Sequence, residues 1–157
     1  MKIINRTLIE DFVDFTSGRI DTFFDGEDGV KHIDMTNVYS KTIRNALSEG
    51  AAELGIPLRT GGIYAGFNGP RFETPAEIRF AALAGATVVG MTGYPEAPLA
   101  RELDLPYAAI SLIVNPAAGL FDGEISEDDI RDVLLKGKAK TLQVVESAIP
   151  KLVTIYG

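Results

Sequence analysis

Cysteine is absent from the sequence and histidine occurs once, at position 32. Without thiols there is no disulfide, no thiolate nucleophile and no cysteine-ligated metal, and a lone imidazole excludes a histidine-rich metal site. Positive charge is scarce as well: 15 Lys and Arg stand against 22 Asp and Glu, a formal net charge of -7. That balance excludes nucleic-acid binding through a basic surface. The longest apolar run, AAISLIV from Ala108, is too short to span a bilayer. The opening MKIINRTLIEDF lacks the apolar stretch of a secretory signal. These absences fit a cytoplasmic protein with neither membrane nor nucleic acid as partner.

What remains is ordinary globular material. The 157 residues are 46% hydrophobic and 24% charged, enough for one domain with a real core over residues 1–157. Period-two and helical patterns alternate along the chain. Thr7 to Phe15 reads as a strand, and TSGRIDTFFDGEDGVKHID as a long Gly/Asp-rich loop, the least structured part. NVYSKTIRNALSEGAAELG reads as a helix, with Ile43, Leu47 and Leu54 on one face and Gly55 as its stop. LRTGGIYAGF is a strand, ATVVGM a short buried strand, and YAAISLIV a buried strand apolar on both faces. PEAPLAREL is a helix if Pro98 lies in its first turn. A last helix is expected from about Ser126, with Ile130, Val133, Leu134, Leu142 and Val145 at helical spacing.

The sharpest local signal is GPRFETPAEIRF, Gly69 to Phe80. Thr74 as N-cap, Pro75 as the first helical residue and Glu77 as the capping-box partner predict a helix from Pro75 to about Leu83, stopped by Gly85. A connecting turn does not need the cation, ring and anion that precede the cap, Arg71, Phe72 and Glu73.

Strands alternating with helices, and strands without a polar face, predict an α/β fold with a mixed, largely parallel sheet flanked by helices. Ligands of such folds bind at the C-terminal ends of the strands. GFNGPRFE, GMTGYPE and VNPAAG each follow a strand, so their chemistry is expected to converge on one site.

GPRFETPAE, VVGMTGYPEAPLARELDLPYAAISLIVNPAAG, DFVDFTSGR and HIDMTNVYS, in their order, resemble the trimeric purine nucleoside phosphorylase and methylthioadenosine phosphorylase family. The resemblance runs over essentially the whole chain and is nearest the branch acting on methylthioinosine and other 6-oxopurine nucleosides. It implies a nucleoside phosphorylase-like fold whose N-terminal part, with the Gly-rich phosphate turn and the Arg-His phosphate motif, is missing here. It also implies phosphate as co-substrate, no metal and no organic cofactor, purine nucleoside as the other substrate, and a homotrimer or hexamer.

The resemblance assigns roles residue by residue. Phe72 matches the aromatic that stacks on the base; on its own it reads rather as a core residue stapling the helix start, since aromatics are usually core. Glu73 matches the carboxylate that accepts from purine N1–H; on its own it is favourable charge at a helix N-terminus. Arg71 reads as a cation pairing locally. Asn115, the candidate catalytic residue, faces purine N7 and the 6-substituent, where an amide can donate to N7 or O6. Ala117 stands where adenine-specific relatives carry a second aspartate. Met91 matches a ribose contact and Thr92 a phosphate-binding hydroxyl; a gap-filling core methionine and a strand-end hydroxyl are the plain alternatives. His32 aligns with a segment reaching the neighbouring subunit's site over the ribose 5′ end. Glu127 aligns with the residue facing the 5′ substituent, or is simply first-turn helix charge.

Three functions follow. The first is phosphorolysis of methylthioinosine, inosine or guanosine, with methylthioadenosine as an alternative substrate. The second is a catalytically incomplete chain that keeps the purine pocket and the oligomer surfaces. The third is a nucleosidase using water.

Overall fold

A computed structural model of the chain describes residues 5–26, 29–123 and 127–157. Its elements run β1 (Arg6–Asp14), α1 (Lys41–Glu53), β2 (Arg59–Gly66), α2 (Pro75–Leu83), β3 (Val88–Gly90), α3 (Glu96–Glu102), β4 (Ile110–Leu112) and α4 (Glu127–Tyr156). The expected start of the last helix at Ser126 lies outside the described residues. The sheet order is β3-β2-β1-β4. β1 pairs parallel with β2 and β2 parallel with β3, while β4 runs antiparallel to β1. The fold is α/β with a mixed sheet, as the alternation of patterns implies.

β1 is the centre of the core because both of its faces are covered. Successive side chains of a strand point to opposite faces. Leu8 packs with Ala46, Leu47 and Ala51 of α1 and Val144 and Ala148 of α4. Its neighbour Ile9 packs on the other face with Val38, Tyr39, Tyr64 and Ala97 of α3. Full burial of one such side chain contributes about 1.5–3 kcal/mol. No described helix is long and apolar enough to cross a membrane.

Several expected boundaries shift, each for a packing reason. α1 begins at Lys41, not Asn37, because the Ser40 side chain accepts from the Ile43 amide and caps the helix. Val38 and Tyr39 are thereby freed to enter the core as extended chain. The face α1 buries is Ala46, Leu47, Gly50 and Ala51, whereas Leu54 is its exposed C-cap. β3 and β4 are each only three residues long and half-buried rather than fully buried. α4 packs through Gly137, Val144 and Ala148, so Leu134, Leu142 and Val145 lie on its exposed side. The Gly/Asp-rich loop is irregular but firmly tied to α3. Glu102, buried near the end of α3, accepts from the Thr22 hydroxyl (2.5 Å) and the Phe23 amide (2.7 Å). Lys31 donates to the Glu102 carbonyl, and Arg101 to the Asp34 carbonyl.

Candidate functional site

β2 and β3 end side by side. Gly66 pairs with Gly90, and the Phe67 amide donates to the Gly90 carbonyl at 2.9 Å. The two segments that follow, 67–74 and 91–95, therefore leave the sheet together. Met91 folds over the first of them. A Cβ added at Gly69 would sit 2.4 Å from Met91 Sδ, and Gly69 has φ +68°, so both space and backbone call for glycine there.

The turn is then locked from its far end. The Thr74 side chain accepts from the Glu77 amide, and Glu77 accepts from the Thr74 amide at 2.7 Å, completing the capping box. Arg71 grips the same carboxylate with both terminal nitrogens, each at 2.8 Å, and also donates to the Phe72 carbonyl. The Arg71 hydrogen bonds, helped by the Thr74 amide, pull the Glu77 carboxyl down to a pKa of about 2. Arg71 is thus the local structural cation its position implies, and its fork holds residues 72 and 73 in place.

Between those anchors the two side chains part. Phe72 is 41% exposed, and it stands two positions before the cap. A helix staple uses the position immediately before the cap, so a buried staple is not what this ring forms. Glu73 turns inward and is only 8% exposed. Its Oε1 is buried and has no hydrogen-bond partner among the described residues. A buried carboxylate oxygen without a donor is costly and uncommon in folded proteins. The turn therefore sets a partly exposed ring next in sequence to a buried acceptor that lacks a donor among the described residues.

Met91 is half-buried and Thr92 exposed at the mouth of β3. The Thr92 and Gly93 amides donate to Tyr64 Oη at 3.2 and 2.9 Å, which seats this second loop on β2. The third segment arrives differently from expectation. Because β4 is antiparallel, Leu112 lies opposite Arg6, and the Ile113 amide donates to the Asn5 carbonyl. β4 thus ends at the edge where β1 begins, while β2 ends beside Asp14, where β1 ends. The three strand ends do not share one edge. Instead the chain after β4 returns: a Cβ at Gly119 would be 2.8 Å from Pro75 Cβ, at the first turn of α2. Asn115 and Ala117, both half-buried, lie on this connection, with Asn115 Nδ2 donating to the Pro116 carbonyl.

The remaining candidates are peripheral within the chain. His32 is exposed, in the segment that Lys31 and Asp34 tie to the end of α3. Glu127 is the exposed first residue of α4. Among the described residues, no three His, Cys, Asp or Glu side chains lie close enough to hold a metal.

Two organising residues escape a reading of the sequence. Glu102 sits mid-pattern in an amphipathic helix, and nothing in its neighbours marks it as the buried anchor of a distant loop. Arg19 lies in that loop, and its guanidinium donates to the carbonyls of Phe67 (3.2 Å), Met91 (2.6 Å) and Tyr94. The SGR triplet with a helix-breaking glycine is a turn signal, but the three carbonyls it serves come from residues 48 to 75 positions away.

Comparison with known proteins places this geometry. The Phosphorylase superfamily profile matches residues 6–150. A protein of Dictyoglomus turgidum named "Probable 6-oxopurine nucleoside phosphorylase" is 42% identical over 146 residues, 92% of this chain and 55% of that protein. One of Methanopyrus kandleri named "Probable S-methyl-5'-thioinosine phosphorylase" is 42% identical over 139 residues, 88% of this chain and 54% of that protein. The chain spans about half the length of the curated relatives it matches. In fold it superimposes on a mutant adenosine/methylthioadenosine phosphorylase of Schistosoma mansoni, solved with adenine. The TM-score is 0.87 and the identity 24%, over 96% of this chain and 60% of that one.

Proposed function

The chain belongs to the phosphorylase superfamily, and from that we propose that it carries the base-recognition part of a site for phosphorolysis of 6-oxopurine nucleosides: methylthioinosine, inosine or guanosine. The observation that carries this reading is Glu73, a buried carboxylate with one oxygen lacking a donor, set beside the exposed face of Phe72. A 6-oxopurine supplies both missing halves. Its N1–H is a donor for Glu73, and its ring is a partner for Phe72, a stack worth about 1–3 kcal/mol. Adenine instead turns an unprotonated N1 toward Glu73, acceptor against acceptor.

In the reaction the C1′–N9 bond breaks, the purine leaves with the bonding electron pair, and a phosphate oxygen forms the new bond to C1′. Charge that develops on the base is met by donors placed for the transition state. Asn115 is assigned the donor to N7 or O6, and Ala117 leaves no second carboxylate to favour a 6-amino purine. Met91 is assigned the ribose contact and Thr92 a phosphate contact. His32 is assigned a place over the 5′ end of the nucleoside in a neighbouring subunit of a homotrimer, with Glu127 near the 5′ substituent of its own. This chemistry calls for phosphate as co-substrate and for no metal or organic cofactor. Residues 1–157 are assigned to one phosphorylase domain of a cytoplasmic enzyme.

Titration calorimetry on the 157-residue chain tests the base site. Hypoxanthine is expected to bind at least tenfold more tightly than adenine, about 1.4 kcal/mol. Equal affinities, or adenine the tighter, would overturn the assignment of Glu73.

A further inference from the structure

We propose that Arg19 is a positioning residue for the base site: its guanidinium gathers the carbonyls of Phe67, Met91 and Tyr94 and so holds the two loops that carry Phe72, Glu73, Met91 and Thr92 in one arrangement. Its functional consequence rests on the base-binding role assigned above, but the clamp itself does not.

The need for a cation here follows from an account of backbone donors. Loops 67–74 and 91–95 leave neighbouring strands and bring three carbonyl oxygens toward one point. Three of the amides in these loops are already used. Phe67 N–H donates to the Gly90 carbonyl, and the Thr92 and Gly93 amides donate to Tyr64 Oη. Buried carbonyls without a donor destabilise the fold. Guanidinium is the side-chain group best suited to the gap, with five N–H donors in a planar fork and a charge it does not lose. Nη2 spans Phe67 and Met91, one residue from each loop, while Nη1 takes Tyr94, two residues before α3.

A second contact fastens the same segment. Asn68 accepts from the Ser17 amide and returns a bond from Nδ2 to the Ser17 carbonyl at 3.0 Å. Gly18, at φ +67°, makes the bend that carries the chain from this contact to Arg19. The segment after β1 is therefore bolted to the loop after β2 at Asn68 and to the loop after β3 through Arg19. This also separates Arg19 from any role as a phosphate ligand, since both terminal nitrogens are committed to carbonyls.

The test uses Arg19→Met and Arg19→Lys in the 157-residue chain, read by amide hydrogen exchange and by hypoxanthine titration. The amides of Phe67, Thr92 and Gly93 report the two loops; those of α1 and α4 report the fold. In Arg19→Met the loop amides are expected to exchange at least tenfold faster with helix protection unchanged, and hypoxanthine affinity to fall at least tenfold. Arg19→Lys, which keeps the charge but not the fork, is expected to recover part of both. If helix protection collapses in Arg19→Met, Arg19→Lys carries the test alone, with the same loop-specific acceleration expected to a smaller extent. Loop exchange within twofold of wild type would overturn the clamp. Faster loop exchange with unchanged hypoxanthine affinity would overturn its link to the site. Faster loop exchange in a chain whose wild type binds no hypoxanthine would uphold the clamp and sink the base-site assignment instead.

Discussion

Glu73 shows how a single residue can trade stability for recognition. Its buried Oε1 has no donor among the described residues, so that oxygen is withdrawn from water with no hydrogen bond in return. Glu73→Gln removes the charge while keeping the shape. The variant is expected to unfold at a higher temperature than wild type and to bind hypoxanthine about tenfold more weakly, because an amide oxygen is a poorer partner for N1–H than a carboxylate. Calorimetric scanning and titration on the same samples check both directions. A lowered midpoint would mean that Glu73 has a donor in solution and is structural. Glu77, by contrast, is fully paired. Its folded pKa of about 2 lies below the ordinary glutamate value of 4.5, so its contribution to holding the turn is fully present above about pH 4.5. As pH falls from there toward 2, protonation removes the acceptor from Arg71 and Thr74. Protection of the Thr74 amide, its exchange relative to an unstructured amide at the same pH, is expected to fall over that window in wild type, and to be low already at neutral pH in Arg71→Met.

At the scale of elements, the α2 entrance is the best-specified part of the chain. Thr74, Pro75, Glu77 and Gly85 each act within a few residues, so the helix Pro75–Leu83 is legible from sequence to the residue. The turn ahead of it depends on a contact that is not local. Gly69→Ala forces a side chain into the left-handed region, which costs about 1–2 kcal/mol, and pushes a methyl toward Met91 Sδ. Chemical denaturation is expected to register that loss, and hypoxanthine affinity to fall with it as Met91 shifts. α1 and α4 were harder to read for an opposite reason. α1 departs from the pattern chiefly at Leu54, its exposed C-cap, whereas α4 contains more apolar residues than the core can take, and periodicity ranks faces without saying which neighbour exists. α4 buries its small residues, Gly137 and Ala148 with Val144, because small side chains let it approach β4 and α1 closely; the larger Leu134, Leu142 and Val145 are left outside.

For the whole molecule, base recognition and phosphate recognition separate. Phe72 and Glu73 precede the cap of α2, whose first residue meets the returning loop at Gly119, and two cations of this region are spoken for: Arg71 by Glu77 and Arg19 by three carbonyls. Thr92 is left as the candidate phosphate ligand, and one neutral hydroxyl does not hold a multiply charged anion beside a reacting centre. The 157-residue chain is therefore expected to bind hypoxanthine yet to show little phosphorolysis of inosine or methylthioinosine. Turnover in the usual enzyme range, about 1–10³ s⁻¹, measured by release of free purine in phosphate buffer, would show that residues other than Thr92 form a phosphate site.

The sequence by itself determined whatever acts over a few residues: the alternation of strands and helices, the capped start of α2, the local pairing of Arg71, and the ring and carboxylate set before the cap. The exclusion of thiol and histidine-cluster chemistry was equally plain. Only the tertiary structure decided the polarity of β4, and with it that Asn115 lies on the connection after an antiparallel strand rather than at the edge where β2 and β3 end. Strand direction is set by which partner offers free backbone groups, and a three-residue apolar segment carries no mark of it. The same holds for the burial of Glu73, the anchoring by Glu102 and the clamp by Arg19. Each depends on backbone carbonyls, amides or solvent exclusion supplied from dozens of residues away, and those groups are the same in every residue and leave no trace in the side-chain pattern.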